Sequence, residues 1–281
     1  SPAPERCTPA PRAAGSVGAM PPVPRLLAYI GIGLVAGFLS GLFGVGGGVL
    51  IVPALVLLLK FDQKLASGTS LLAVVPIAIV GMLAYFSAGQ VDWAIGIPLA
   101  IGMIAGGVLG SWLLQRLPTI VISWVFIGVL AIVAIRLFFE EPVRGVSHPI
   151  DALGIVLLVA FGVLVGTLSG LVGVGGGVII VPSLIVFWGI GDLIAKGASL
   201  VAMVPSAITT SAQNLLRRNA DLVAGLSIGV PGALMTFPGS WAATAVDPKT
   251  GAILFGIFLL AVVAQLTVRN IRKMRKGRGT A

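Results

Sequence analysis

Apolar residues in this chain neither alternate with polar ones nor keep to one helical stripe; they run unbroken for whole helix lengths. Stretches without Asp, Glu, Lys or Arg cover residues 26–59, 65–91, 93–115, 117–135, 152–191, 197–216, 222–246 and 250–268. Six of these hold 19–27 residues, and about 20 apolar residues suffice for a helix to cross a hydrocarbon core of about 30 Å. The other two are too long for one crossing. Residues 26–59 make 34 and 152–191 make 40, and a glycine cluster cuts each near its middle. A 34-residue helix would be ~51 Å long at ~1.5 Å per residue, so each long stretch predicts a hairpin of two helices. The second arm of the first hairpin, residues 49–60, has only 12 residues and predicts a partial span. Its turn then lies inside the membrane, where irregular backbone survives only against protein or a cavity.

An internal repeat organises these elements. Residues 37–53 match residues 166–182 at 14 of 17 positions at a constant offset of 129. The same offset carries Gly68, Ser70 and Pro76 onto Gly197, Ser199 and Pro205, Asp92 onto Asp221, and Gly110-Ser111-Trp112 onto Gly239-Ser240-Trp241. The chain therefore reads as a tandem duplication. A proline-rich, disordered tail occupies 1–25, the first transmembrane repeat 26–135, a linker 136–151, the second repeat 152–268 and a basic cytoplasmic tail 269–281. If each hairpin counts as two crossings, a repeat has five segments and the second copy is inverted; if as one, it has four and the copies are parallel. Hairpin length favours five plus five. The expected fold class is all-α, a polytopic helical membrane protein of two inverted repeats, the architecture of many secondary transporters.

Composition narrows the function. Only 10% of the residues are charged, against about 25% in ordinary soluble domains. The net charge of +9 is no sign of nucleic acid, because six Lys and Arg follow the last apolar run, between Arg269 and Arg278. The positive-inside rule assigns that end to the cytoplasm, and both termini are expected there, in a plasma membrane. Cys7 is the single cysteine and His148 the single histidine, so neither thiol relays nor metal ligation are predicted. No cofactor or metal is expected; the expected partners are lipid and a small anion, with no nucleic acid and no assigned oligomeric state. Met20 is a candidate start residue. All ionisable residues fall at the ends of the uncharged stretches, which argues against carboxylate-based proton coupling and against a membrane hydrolase.

The candidate chemistry lies at the glycine clusters. Gly44-Val45-Gly46-Gly47-Gly48 is no dinucleotide fingerprint, since apolar helix flanks both sides. Glycines allow a tight reversal and uncover the amides of the next helix start, which carries about +0.5 charge. Gly46, Gly47 and Gly48 with Gly175, Gly176 and Gly177 are thus candidate anion ligands, close helix packing being the alternative. Gly102, Gly106 and Gly110 show the spacing expected of plain packing. Ser40, Thr69, Ser70, Ser169 and Ser199 can donate to sulfite or sulfonate oxygens, or bond back to their own helices. Pro76 and Pro205 fall in mid-helix and are expected to shape kinks. Gln213 and Asn214, and the five tryptophans, read as interface residues.

The doubled Leu-Ser-Gly-Leu-x-Gly-Val-Gly-Gly-Gly at 39–48 and 168–177, the Gly-x-Ser-Leu pair at Gly68 and Gly197, and Gly89-Gln90-Val91-Asp92-Trp93 resemble the sulfite exporter TauE/SafE family over about residues 26–268. The second copy departs at Asn219-Ala220-Asp221-Leu222. The resemblance implies a permease for sulfur-containing anions such as sulfite, sulfoacetate or other organosulfonates, working as an exporter in a prokaryotic plasma membrane. An anion channel, or a transporter of another small anion, is the alternative.

Overall fold

A computed structural model describes residues 23–113, 119–137, 139 and 151–278. Most of the expected tail and linker, with Cys7, Met20 and His148, lies outside the described residues. Among the described residues ten helices follow in order: α1 Val23–Phe43, α2 Gly48–Leu58, α3 Gln63–Ser87, α4 Trp93–Leu113, α5 Thr119–Leu137, α6 Ala152–Val172, α7 Gly177–Trp188, α8 Asp192–Leu216, α9 Leu222–Ala245 and α10 Pro248–Arg278. No strand occurs among the described residues. Seven of these helices are long and apolar enough to cross a membrane, whereas α2 and α7, of 11 and 12 residues, are too short. The all-helical membrane class is as the sequence predicts.

Each of the first five helices starts 129 residues before its mate, at 23 and 152, 48 and 177, 63 and 192, 93 and 222, 119 and 248. The caps repeat as well. Asp92 accepts from the Ala94 amide at 2.9 Å at the start of α4, and Asp221 accepts from the Ala224 amide at 3.0 Å at the start of α9. Two left-handed turn positions are shared but filled differently. Lys60 (φ 56°) stands where its mate is Gly189 (φ 62°), and Arg218 (φ 55°) where its mate is Gly89 (φ 68°). An L side chain is strained there, so Arg218→Gly is expected to stabilise the protein by about 0.5 to 1 kcal/mol in thermal unfolding.

Small residues set the packing directions. On α1, Gly33 approaches Ile228 and Gly41 approaches Thr236 of α9; on α4, Gly102 approaches Val159 and Gly110 approaches Thr167 of α6. Both pairs run parallel, and backbone meets backbone, so Gly102, Gly106 and Gly110 are packing glycines. The mates α3 and α8 behave differently. They cross where Val74 and its mate Met203 both reach Gly46 and Gly175, and beyond that crossing Gly81 meets Leu200. α3 thus runs antiparallel to its own copy α8, the relation that two repeats inverted about an axis through this crossing would have. Tightly packed apolar side chains fill the centre, among them Val45, Val74, Val174, Val178 and Met203.

Two expectations change. The basic segment after residue 268 is not a separate tail, because α10 continues through it to Arg278. Nor are the spans free of ionisable residues: α8 begins at Asp192, so Asp192 and Lys196 lie within it and are buried. Of the tryptophans, Trp93, Trp124 and Trp241 are exposed, Trp188 packs on Phe161 with ring centroids 5.3 Å apart, and the Trp112 side chain lies outside the described set.

Candidate functional site

The two glycine turns form the centre. Between α1 and α2, Gly44, Gly46 and Gly47 have φ of 71°, 76° and 75°; between α6 and α7, Gly173, Gly175 and Gly176 have 79°, 89° and 85°. Only glycine adopts this run without strain. The chain reverses as the Gly44 amide donates to the Ser40 carbonyl at 2.8 Å and the Gly173 amide to the Ser169 carbonyl at 2.7 Å. α2 and α7 then start on Gly47 and Gly176, which offer no side-chain cap. The first amides of each, at Gly48 and Val49 and at Gly177 and Val178, have no acceptor within their own helix.

These two helix starts face each other. A Cβ on Gly48 would lie 2.5 Å from the Val174 carbonyl oxygen, and one on Gly177 would lie 2.7 Å from that of Gly44. The carbonyls of one turn thus rest against the helix start of the other, where an anion's oxygens would complement the positive helix end. Val74 and the Met203 methyl close the space beside Gly46 and Gly175.

The hydroxyls divide. Ser70 Oγ donates to the Gly173 carbonyl and Ser199 Oγ to the Gly44 carbonyl, each at 2.9 Å, so each holds the opposite repeat's turn. Ser67 adds a third such bond, to the Val172 carbonyl at 3.0 Å. In this conformation the protons of Ser70 and Ser199 are committed to protein. Ser40 and Ser169 are buried just before the turns, and Ser40 Oγ has no hydrogen-bond partner among the described residues. A fully buried hydroxyl without a partner requires an explanation. Thr69 stands apart, accepting from the Asp221 amide at 3.0 Å at the entry to α9. Pro76 and Pro205 lie within α3 and α8, which continue through them; Pro76 packs against Gly229 of α9. Asn214 is buried and donates to the Thr210 carbonyl at 2.9 Å. Ser70→Ala and Ser199→Ala each leave a buried carbonyl short of a donor and are expected to cost about 1 to 3 kcal/mol of stability, measured by thermal unfolding.

Three polar groups near the turns were not singled out from sequence. Asp192 and Lys196 form a buried ion pair, and Lys196 borders Gly44. Arg269 lines a crevice with Val49, Val172 and Val174, and its Nη1 is buried without a partner among the described residues. Tyr85 donates to the Gly41 carbonyl at 2.7 Å and borders a cavity of about 250 Å³ with Ser240, Trp241 and Thr244. The repeat register carried the signal for the ion pair, since Asp192 is the mate of Gln63, where α3 starts.

Short helices meeting tip to tip among long apolar ones are an arrangement that many secondary transporters use around their binding sites. Residues 158–281 match the family described as Sulfite exporter TauE/SafE. This segment, somewhat less than half of the chain, is similar to that family, and the duplication repeats the glycine motif in the first half. Over 111 residues it is 36% identical to the Probable membrane transporter protein YunE of Bacillus subtilis, covering 40% of this chain and 41% of the relative. It is 41% identical over 85 residues to a Probable membrane transporter protein of Xylella fastidiosa (30% and 33% covered). It is also 30% identical over 159 residues to the Probable membrane transporter protein MJ0441 of Methanocaldococcus jannaschii (54% and 59% covered). The chain thus spans about a third to three fifths of the length of these relatives. No solved structure matches it.

Proposed function

We propose that the protein is a secondary transporter that moves small sulfur-containing anions such as sulfite or organosulfonates by alternating access, and that it catalyses no chemical change. The observation that carries this is the meeting of the α2 and α7 helix starts across the repeat axis, each covered by the other turn's carbonyl. An anion entering between them exchanges carbonyl oxygens for its own and gains the buried Ser40 hydroxyl as a donor. Separation of the turns toward one face and then the other carries it across. A continuous pore is disfavoured by Val74 and Met203, which fill the space beside both turns.

The family description supports a sulfur oxyanion. An inside-negative potential favours anion exit by about 2.3 kcal/mol per charge per 100 mV, so export from the cytoplasm across a plasma membrane needs no coupling ion. Arg269 supplies positive charge in the crevice that reaches the second turn. Arg269→Gln is expected to weaken anion binding about tenfold, about 1.4 kcal/mol, read as a raised half-saturation concentration. The test of the reading is exchange in liposomes holding the purified protein: saturable exchange of labelled sulfite or methanesulfonate is expected. Flux of no sulfur oxyanion overturns the substrate, and flux that rises linearly with concentration overturns the mechanism.

A further inference from the structure

A groove of about 350 Å³ runs between α2 and α10, walled by Pro53 and Leu57 on one side and by Ala264, Gln265, Val268 and Arg269 on the other. α2 has 11 residues, about 16 Å of helix, so it leaves the flank of α10 open beside its outer end. Leu57 and Val268 are 58% and 47% exposed, and Ala264 and Gln265 are exposed as well. In a membrane such residues face acyl chains. The groove is large enough for a bound molecule, yet apart from Gln265 and Arg269 these walls are apolar, so a small oxyanion would find donors at one end only.

That end is built for a phosphate. Arg269 Nη1 is buried without a partner among the described residues, and a buried donor without an acceptor requires an explanation. Arg272, Lys273 and Lys276 follow it at spacings of three, four and seven, positions that share a helix face with Arg269, and α10 continues unbroken to Arg278. The repeat offset places Glu140 where the second repeat has Arg269, so the duplicated sequence does not demand a cation here. Depth agrees with this use. Arg269 comes 21 positions after Pro248, the first residue of α10, about 31 Å along the helix, which reaches the far edge of a hydrocarbon core of about 30 Å. The basic run marks that edge as the cytoplasmic one, the leaflet that carries anionic lipid.

We infer that the groove between α2 and α10 binds an anionic phospholipid of the cytoplasmic leaflet, with an acyl chain along Pro53, Leu57 and Ala264 and the phosphate on Arg269. A soluble oxyanion would use the guanidinium and leave the apolar walls bare, and a zwitterionic lipid would bring its own cation to a basic run. The inference goes beyond the transport reading and needs none of it. Position nevertheless links the two: Pro53 and Arg269 also wall the narrow crevice beside the turns, so the lipid packs against the short helix whose start forms the proposed anion site.

Native mass spectrometry of the purified full-length chain, given phosphatidylglycerol and phosphatidylcholine in equal amounts, reads the bound lipid directly. Wild type is expected to retain phosphatidylglycerol over phosphatidylcholine by about tenfold, and Arg269→Gln should bring the two to near parity. Because Arg269 is also assigned a part in anion binding, a second variant leaves it in place. Ala264→Trp fills the groove from the lipid side and is expected to lower bound phosphatidylglycerol about tenfold. Equal retention of the two lipids by wild type, or undiminished phosphatidylglycerol on Ala264→Trp, overturns the site. Displacement of the lipid by millimolar inorganic phosphate would assign Arg269 to a soluble anion, and a dimer that Ala264→Trp dissociates would assign the groove to a second copy of the chain; either overturns the inference. Failure of sulfur-anion exchange in liposomes would overturn the transport reading and leave the lipid site standing.

Discussion

Alanine at Gly48 is expected to lower anion exchange about a hundredfold while the protein still inserts and folds. Gly48 is not among the left-handed glycines of its turn and opens α2, where alanine is the best helix former, so the substitution tests contact and not backbone strain. The new methyl would meet the Val174 carbonyl oxygen, carbonyl carbon and Cα at 2.5, 2.7 and 3.0 Å. All three are backbone atoms of a turn whose preceding carbonyls, at Val172 and Gly173, accept from Ser67 and Ser70, so no side chain can swing aside. One turn must move by several tenths of an ångström. A displacement approaching 1 Å at a binding centre costs about 10²-fold in rate, while overpacking costs about 1 to 3 kcal/mol in stability. Gly177→Ala, facing the Gly44 carbonyl at 2.7 Å and Met203 Sδ at 2.8 Å, is expected to behave alike. Exchange by either variant within about threefold of wild type removes the turns from the site.

The largest loss of stability is expected at Gly37, not at the turns. It lies where α1 meets α9, and any side chain there would overlap the Gly232 backbone. In lipid, helices associate through close packing of small residues and gain little from hydrophobicity, so prising α1 from α9 removes the interaction that joins the two repeats on that side. Gly37→Leu is expected to cost about 3 kcal/mol or more, seen as loss of a monodisperse, cooperatively unfolding protein. Gly31, on the same helix, has nothing within 4 Å of a built Cβ, and Gly31→Leu should be nearly neutral. Equal stability of the two variants would contradict the packing assigned to α1.

Much of this is legible in the sequence because lipid imposes simple rules. Uncharged runs of one helix length mark spans, and runs too long for one helix led to the hairpins at Gly44–Gly48 and Gly173–Gly177. The offset of 129 led to the pairing of elements. What sequence hides are contacts between repeats. Ser70 and Ser199 read as anion donors or as hydroxyls bonded within their own helices because the residue each bonds lies more than 100 positions away. Asp192 and Lys196 read only as the break between two uncharged stretches, because charge ends an apolar run in sequence whether or not it is buried; their register with Gln63 and Ser67 is the one sign that they share a helix start. Arg269 reads as the first residue of a tail because it opens a basic run, although α10 passes through it unbroken.

The most direct test of transport at the paired turns joins them. Val45 and Val174 are mates at the turn tips, 2% and 4% exposed, and with Cys7→Ser a pair of cysteines at these positions is the only thiol pair in the chain. In liposomes, a short thiol-specific cross-link between them should abolish counterflow of labelled sulfite, and a cleavable linker should restore it on reduction. Undiminished counterflow through fully cross-linked protein would mean that the turns do not separate, and that the anion crosses elsewhere.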